Sequence, residues 1–299
     1  MISFVSKNEA ISRMNRYGTD KTPFLFLISF DQSRSVVLPT DKIDASEIKY
    51  RIGDYTNAPS DSGNRQAPFY TFDRHPVSYK HFKTAFDQVI DHISYGNSFL
   101  TNLTFETPLT IDLSLSDIFD FSRARYKVWL KDSFCCFSPE IFIRVEGDEI
   151  SSYPMKGTIE ADLPDAEKII LGDKKEQAEH VTIVDLIRND LSIVADKVAV
   201  PKFRYIEKLR TNKNDLLQVS SKISGKLHTR YVDNIGDLIF KLLPAGSISG
   251  APKPQTIAII NDAENHDRGF YTGICGIYDG KNLDSGVMIR FVEKRGDQY

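Results

Sequence analysis

One lysine stands where chemistry can be done. In Ser152-Tyr153-Pro154-Met155-Lys156-Gly157-Thr158, Pro154 fixes its own φ and Gly157 permits a turn or a close approach to a ligand. Lys156 sits between them, flanked by Met155 and the hydroxyl of Thr158, in mostly uncharged surroundings. In a dry setting the ammonium is disfavoured and the amine becomes a nucleophile near neutral pH. Taken alone, the stretch reads as a surface turn with a solvated lysine, and it is the downstream sequence that overturns this. A carboxyl is expected nearby. Strands over 134–137 and 140–145, a turn at Gly147-Asp148 and a following strand that delivers Lys156 place Glu140 and Lys156 on opposite sides of one hairpin, where both can face one cavity. Further on, Glu176 and Glu179 are three apart in a helical stretch and share a face. Like charges so placed repel unless a cation lies between them, and magnesium takes such ligands. A solvated acidic face paired with Lys174 and Lys175 fits the same spacing. Arg290, inside the apolar run Val287-Met288-Ile289-Arg290-Phe291, needs an anionic partner, for which a structural ion pair serves as well as a ligand.

The elements that must position these groups mix helices and strands without a regular βαβ alternation, which predicts an α+β fold. Two strands are expected within 22–38, around the polar turn Asp31-Gln32-Ser33-Arg34. Residues 53–75, rich in Gly, Pro, Asp, Asn and Ser, read as a long surface excursion, a lid or an insertion. Phe82, Ala85, Phe86, Val89 and Ile93 recur at helical spacing, with Ser78 to cap the start and Gly96 to end the helix. A strand over 98–105, a short helix over 116–123 and a strand through Val128-Trp129-Leu130 follow. A helical region over 165–194 is expected to break near Gly172-Asp173. Strands over 197–209 and 215–227, helices over 233–242 and 253–264, and two strands over 271–278 and 284–293 complete the chain. Between the last helices, Leu243 to Lys253 is rich in Gly and Pro. Its spacing does not match a phosphate-binding loop, so it reads as a tight, shaped connection.

Bulk properties narrow the function classes. The chain has 299 residues, 41% hydrophobic and 26% charged, ordinary for a soluble globular protein of one large domain or two smaller ones. A formal net charge of −3 supplies no field to recruit nucleic acid or an acidic membrane. Cys135, Cys136 and Cys275 are odd in number and two are adjacent, so no disulfide framework or zinc site is expected, and a reducing, cytoplasmic setting fits. The N-terminus has no basic region followed by a long apolar one, so no secretory signal is expected. The apolar run 24–30 is far too short to span a membrane.

Together the motifs resemble the chorismate-utilising enzymes, which include anthranilate synthase, isochorismate and salicylate synthases, and aminodeoxychorismate synthase component I. The matching blocks are Asn102-Leu103-Thr104, Ser138-Pro139-Glu140, 154–158, 176–190, 244–253 and 271–290, in family order over roughly 80–295 of what reads as a single domain, 1–299. The resemblance implies a fold of mostly antiparallel sheets flanked by helices. It is closest to aminodeoxychorismate synthase component I, because the residue before Gly157-Thr158 is a lysine where anthranilate synthases typically carry alanine. Leu100 stands where isochorismate-type members place a water-activating lysine, and Gln218 where the family usually has histidine.

What the resemblance implies is an amination of chorismate to 4-amino-4-deoxychorismate, on the way to para-aminobenzoate and folate. Glu140 would be the general acid on the C4 hydroxyl, and Lys156 the nucleophile at C2. Glu179 and, less directly, Glu176 would hold Mg2+ against the ring carboxylate. Arg290 and Tyr271 would take the enolpyruvyl carboxylate, with Gly157, Thr158 and Gly273 also lining the substrate. Ammonia would come from a separate glutamine amidotransferase subunit. The alternatives are an anthranilate synthase-like aminating enzyme, or an inactive subunit that only binds an amidotransferase. The family continues after the Arg290 block into a glycine-rich loop and an acidic helix that this sequence does not include. A chain ending at Tyr299 is therefore expected to bind magnesium and chorismate poorly.

Overall fold

The computed structural model describes residues 2–58, 69–209 and 214–299. Among these, a nine-stranded antiparallel sheet runs in the order Met155–Glu160, Leu216–Leu227, Glu149–Ser152, Ile141–Glu146, Leu283–Val287, Ile274–Tyr278, Phe24–Ile28, Ser35–Pro39, and Ala195–Leu209 also pairs with Leu216–Leu227. A second, five-stranded sheet contains Phe291–Glu293, Phe134–Ser138, Tyr126–Leu130, Ile48–Ile52 and Tyr55–Thr56. The α+β expectation holds.

The strand Phe24–Ile28 explains the layering. All five residues are buried, because successive side chains point to opposite faces and both faces are covered. Phe24, Phe26 and Ile28 join a core with helices Lys7–Thr19, Lys174–Leu191 and Ile235–Leu242. Leu25 and Leu27 join a second core against Tyr50, Val128 and Phe134 of the other sheet. Helices, large sheet and small sheet are thus stacked as three layers.

The two helices expected over 165–194 are Ala166–Gly172 and Lys174–Leu191. Asp173 caps the second, its side chain accepting from the backbone N–H of Lys175 at 2.9 Å and of Glu176 at 3.0 Å. Helix Tyr79–Ser94 starts at the cap Ser78 as expected, yet Phe82, Phe86 and Ile90 on it are exposed. Several expectations are corrected. The strand placed over 98–105 is only Leu100–Thr101, paired with Gly250–Ala251. The last strand divides at Arg290: Leu283–Val287 stays in the large sheet, while Phe291–Glu293 crosses to the small one. Of the excursion 53–75, residues 59–68 lie outside the described residues, and Phe72–Arg74 pairs with Leu109–Ile111. Helix Lys7–Thr19 and strand Ile48–Ile52 were not anticipated.

Candidate active site

Lys156 lies on strand Met155–Glu160, but the hairpin expected to carry it ends earlier. Ile141–Glu146 pairs with Glu149–Ser152, and Tyr153-Pro154 then redirects the chain. Both Glu149–Ser152 and Met155–Glu160 pair with the one long strand Leu216–Leu227, at its far and near ends respectively. Proline cannot donate to a ladder, and its carbonyl accepts from Ser221 N–H at 3.0 Å instead. Just past Lys156 the register shifts between Lys156↔Val219 and Thr158↔Gln218, leaving Gly157 as the extra residue, with φ +77°. The glycine keeps space for the neighbouring helix: an added Cβ would come within 3.3 Å of Glu176 Oε2 and 3.7 Å of Ile170.

Glu176 and Glu179 face this strand from helix Lys174–Leu191. Lys156 Nζ lies 3.5 Å from Glu179 Oε2, and Lys175 Nζ lies 3.6 Å from Oε1 of the same carboxylate. The dry setting expected for Lys156 is not what the fold provides: its side chain is 38% exposed, and its ionic partner is Glu179. Glu140 is placed differently. It follows strand Phe134–Ser138, and its N–H donates to Ser138 Oγ at 3.1 Å. Ser247 Oγ donates to Glu140 Oε1 at 2.5 Å. Burial pushes the Glu140 carboxyl up, while the Ser247 hydroxyl and the Lys156 charge pull it down by less, so the carboxyl ends above the usual range. Glu140 therefore holds a proton longer than an ordinary glutamate, and Lys156 is close enough to act on it electrostatically.

Beneath the strand, His180 is buried and its Nε2 lies 2.7 Å from Ser221 Oγ. Burial, with Arg204 and Lys156 nearby, pushes its pKa down to about 4, so it is neutral. Gln218 is buried too, and its Oε1 has no hydrogen-bond partner among the described residues.

Tyr271 and Arg290 meet elsewhere. They line a cavity of about 550 Å³ together with Phe105, His266, Arg268 and Arg295, a size ordinary for small-molecule sites, and Lys156, Glu140, Glu176 and Glu179 do not line it. Two hydrogen bonds connect the halves. Val287 N–H donates to Glu140 O, and Phe137 N–H donates to Arg290 O, both at 3.1 Å. Two backbone hydrogen bonds thus tie the segment 137–140, which ends at Glu140, to the segment 287–290, which ends at Arg290. Arg290 is exposed, with φ +53°, and makes no ion pair among the described residues, so the structural pairing weighed for it is not seen. Gly273 has a packing role: its N–H donates to Phe270 O, and an added Cβ would lie 2.1 Å from Ile28 O. Thr158 is exposed.

Two groups escaped the reading of the sequence. Ser247 hides in a glycine-rich connection. Glu264 and Arg268, each 2% exposed and paired at 2.6 Å, tie together much of the site's framework. Glu264 Oε1 accepts from Thr104 N–H at 2.7 Å, and Arg268 donates to the carbonyls of Asn102 and Ile248. Their i, i+4 spacing was the available signal. That node also gives the Asn102-Leu103-Thr104 block its structural part.

The comparisons give the class. A model of the chorismate binding enzyme family matches residues 20–299, and the chain belongs to that family. It is 46% identical over 289 residues to an uncharacterized PabA-like protein of Haemophilus influenzae, covering 97% of this chain and 87% of that one. Over shorter stretches it is similar to an anthranilate synthase component 1 of Haloarcula marismortui (32% over 229 residues, 71% of this chain and 44% of that one). It is also similar to aminodeoxychorismate synthase component 1 of Bacillus subtilis (29% over 255 residues, 80% and 51%). Among solved structures, the menaquinone-specific isochorismate synthase MenF of Escherichia coli shares the fold, with a TM-score of 0.67 at 16% identity over 99% of this chain and 76% of that one.

Proposed function

We propose that the chain aminates chorismate as an aminodeoxychorismate synthase component I, with Lys156 as nucleophile and Glu140 as general acid. The observation behind the reading is a lysine on a bulged strand within electrostatic reach of a buried carboxyl that burial pushes above the usual range. Glu140 gives its proton to the C4 hydroxyl, which leaves as water while the Lys156 amine bonds to C2 and the ring double bonds shift. Ammonia then bonds at C4, the C2–N bond breaks, and the proton shed by the incoming nitrogen restores Glu140. Two displacements replace one difficult one. Lys156 rests beside Glu179 and leaves that pair to reach C2 as the free amine, its proton passing to solvent.

Glu176 and Glu179 fit a magnesium ion in number and kind. Among the described residues no group of three His, Cys, Asp or Glu forms a closed site, so water and substrate would complete the shell. When bound, the ion held by Glu176 and Glu179 would neutralise a substrate carboxylate. Tyr271 and Arg290, in the adjoining cavity, are suited to the second carboxylate, and burial keeps the Tyr271 phenol protonated as a donor. Gln218 supports a reaction that stops at amination, since an amide does not titrate and cannot act as the acid or base in expelling pyruvate. None of the cysteines suits a glutaminase nucleophile: all three are buried, and burial pushes Cys135 and Cys275 up to about 12. A partner amidotransferase therefore supplies ammonia in this reading. The test is incubation with ammonium salts and with chorismate and Mg2+ each raised to saturation. Formation of 4-amino-4-deoxychorismate supports the proposal, whereas anthranilate, or no product, refutes it.

A further inference from the structure

The connection between helices Ile235–Leu242 and Lys253–Ala263 is drawn onto a single carboxylate. Asp190 Oδ2 pairs with Lys253 Nζ at 2.8 Å, the two side chains 16% and 19% exposed, and Asp190 also accepts from the N–H of Gly246. Lys253 Nζ donates further to Leu242 O at 3.0 Å. Gly246 is pressed so close that an added Cβ would lie 2.7 Å from Asp190 Oδ2 and 3.1 Å from Leu186. Both ends of the connection are thereby fixed to helix Lys174–Leu191. Inside it, Ser249 Oγ donates to Ala245 O at 2.9 Å, closing the short turn that carries Ser247.

Ser247, next to the clamped Gly246, is the residue that reaches Glu140. Ser247, Gly246 and Asp190 also line a cavity of about 20 Å³ walled largely by Ile141, Phe142, Ile187, Leu191 and Leu242, with room for about one water. The other charged group acting on Glu140 is Lys156, from strand Met155–Glu160; Asp190 and Lys253 neutralise each other.

We propose that Ser247 is a positioning residue for the acid proton of Glu140: by donating to Oε1, it leaves Oε2 as the oxygen that bears the transferable proton. A second hydrogen on Oε1 would point at the serine hydrogen, so the neutral carboxyl has one favoured form. Without that donor the proton can sit on either oxygen, and half of the arrangements aim it away from substrate. This inference rests on the proposed role of Glu140, and its test separates the two.

Ser247→Ala and Ser247→Thr are compared with the unaltered chain. The protonated-carboxyl infrared band of Glu140, assigned by its loss in Glu140→Gln, is titrated without chorismate. A donated hydrogen bond stabilises the carboxylate, so the alanine variant should keep the band to a pH about one unit higher, and the threonine variant should return it to the original midpoint. In turnover, Ser247→Ala should lower kcat about twofold with little change in KM, and threonine should restore it. An alanine variant whose band titrates as in the unaltered chain overturns the inference. A shifted band in a protein that makes no aminodeoxychorismate leaves the Ser247–Glu140 coupling standing and removes the assigned reaction.

Discussion

Replacing Lys156 by glutamine separates a catalytic lysine from a structural one. The ion pair it would break, Lys156 Nζ to Glu179 Oε2, is 3.5 Å long with side chains 38% and 40% exposed. Pairs this exposed contribute about 0.2–1 kcal/mol, and Glu179 keeps Lys175 at 3.6 Å as a second counter-charge. The loss of stability should therefore stay under about 1 kcal/mol, near 2 °C in Tm for a chain of this size. Turnover should behave otherwise. Removing a covalent nucleophile eliminates a route, and a fall of at least about a thousandfold is expected. A further consequence can be read without substrate. Losing the positive charge beside Glu140 lets burial raise that carboxyl more, so its titration should move to higher pH. Thermal unfolding, chromatographic assay of 4-amino-4-deoxychorismate and infrared titration give the three readouts. A variant that keeps more than about a tenth of wild-type turnover would refute Lys156 as nucleophile, and one that loses several kcal/mol would refute the account of its packing.

Other outcomes follow from the same geometry. The Glu140 carboxyl is raised, so between the ordinary glutamate range and its raised value the folded chain holds a proton that the unfolded chain has released. Stability should fall as pH rises through that window, and Glu140→Gln should abolish this slope while abolishing turnover, measured by thermal unfolding against pH. Wild-type turnover should likewise decline on the alkaline side as the acid is lost. Glu264→Ala would leave Arg268 buried at 2% exposure without its partner, costing about 3–5 kcal/mol by denaturant unfolding. Gly157→Ala combines a φ of +77° with a Cβ 3.3 Å from Glu176 Oε2, and should cost about 1–2 kcal/mol while weakening Mg2+ binding measured by calorimetry. Glu179→Ala should remove most of that Mg2+ binding, and Glu176→Ala less of it.

How much of this was legible depended on how local each feature is. Helix Lys174–Leu191 announces itself through Asp173 and its own periodicity, so the shared face of Glu176 and Glu179 was readable in advance. The position of Glu140 relative to Lys156 was not, because it depends on a strand some 60 residues later. Pro154 ends one pairing and Leu216–Leu227 begins the next, and register over such separations leaves no local mark. Helix Lys7–Thr19 carries a weak signal although Ser6 caps it and Glu9 sits in its first turn, because only Ala10, Met14 and Gly18 are fully buried and the apolar stripe is thin. Strand Ile48–Ile52 alternates buried and half-buried residues and could have been found. Ser247 lies in the matching block 244–253, but its role had no signal: a hydroxyl among glycines acquires meaning only when the fold brings Glu140 to it. The division of the last strand at Arg290 was equally hidden, since both segments read as apolar strand and only the second sheet explains the crossing.

The most direct test of the central claim is mass spectrometry of the intact protein mixed with chorismate and Mg2+ in the absence of ammonia, followed by peptide mapping. A covalent adduct with the mass of chorismate less one water, located on Lys156 and absent from Glu140→Gln, is the predicted result. A chain that consumes chorismate while remaining unmodified, or that carries the adduct on another lysine, would contradict it.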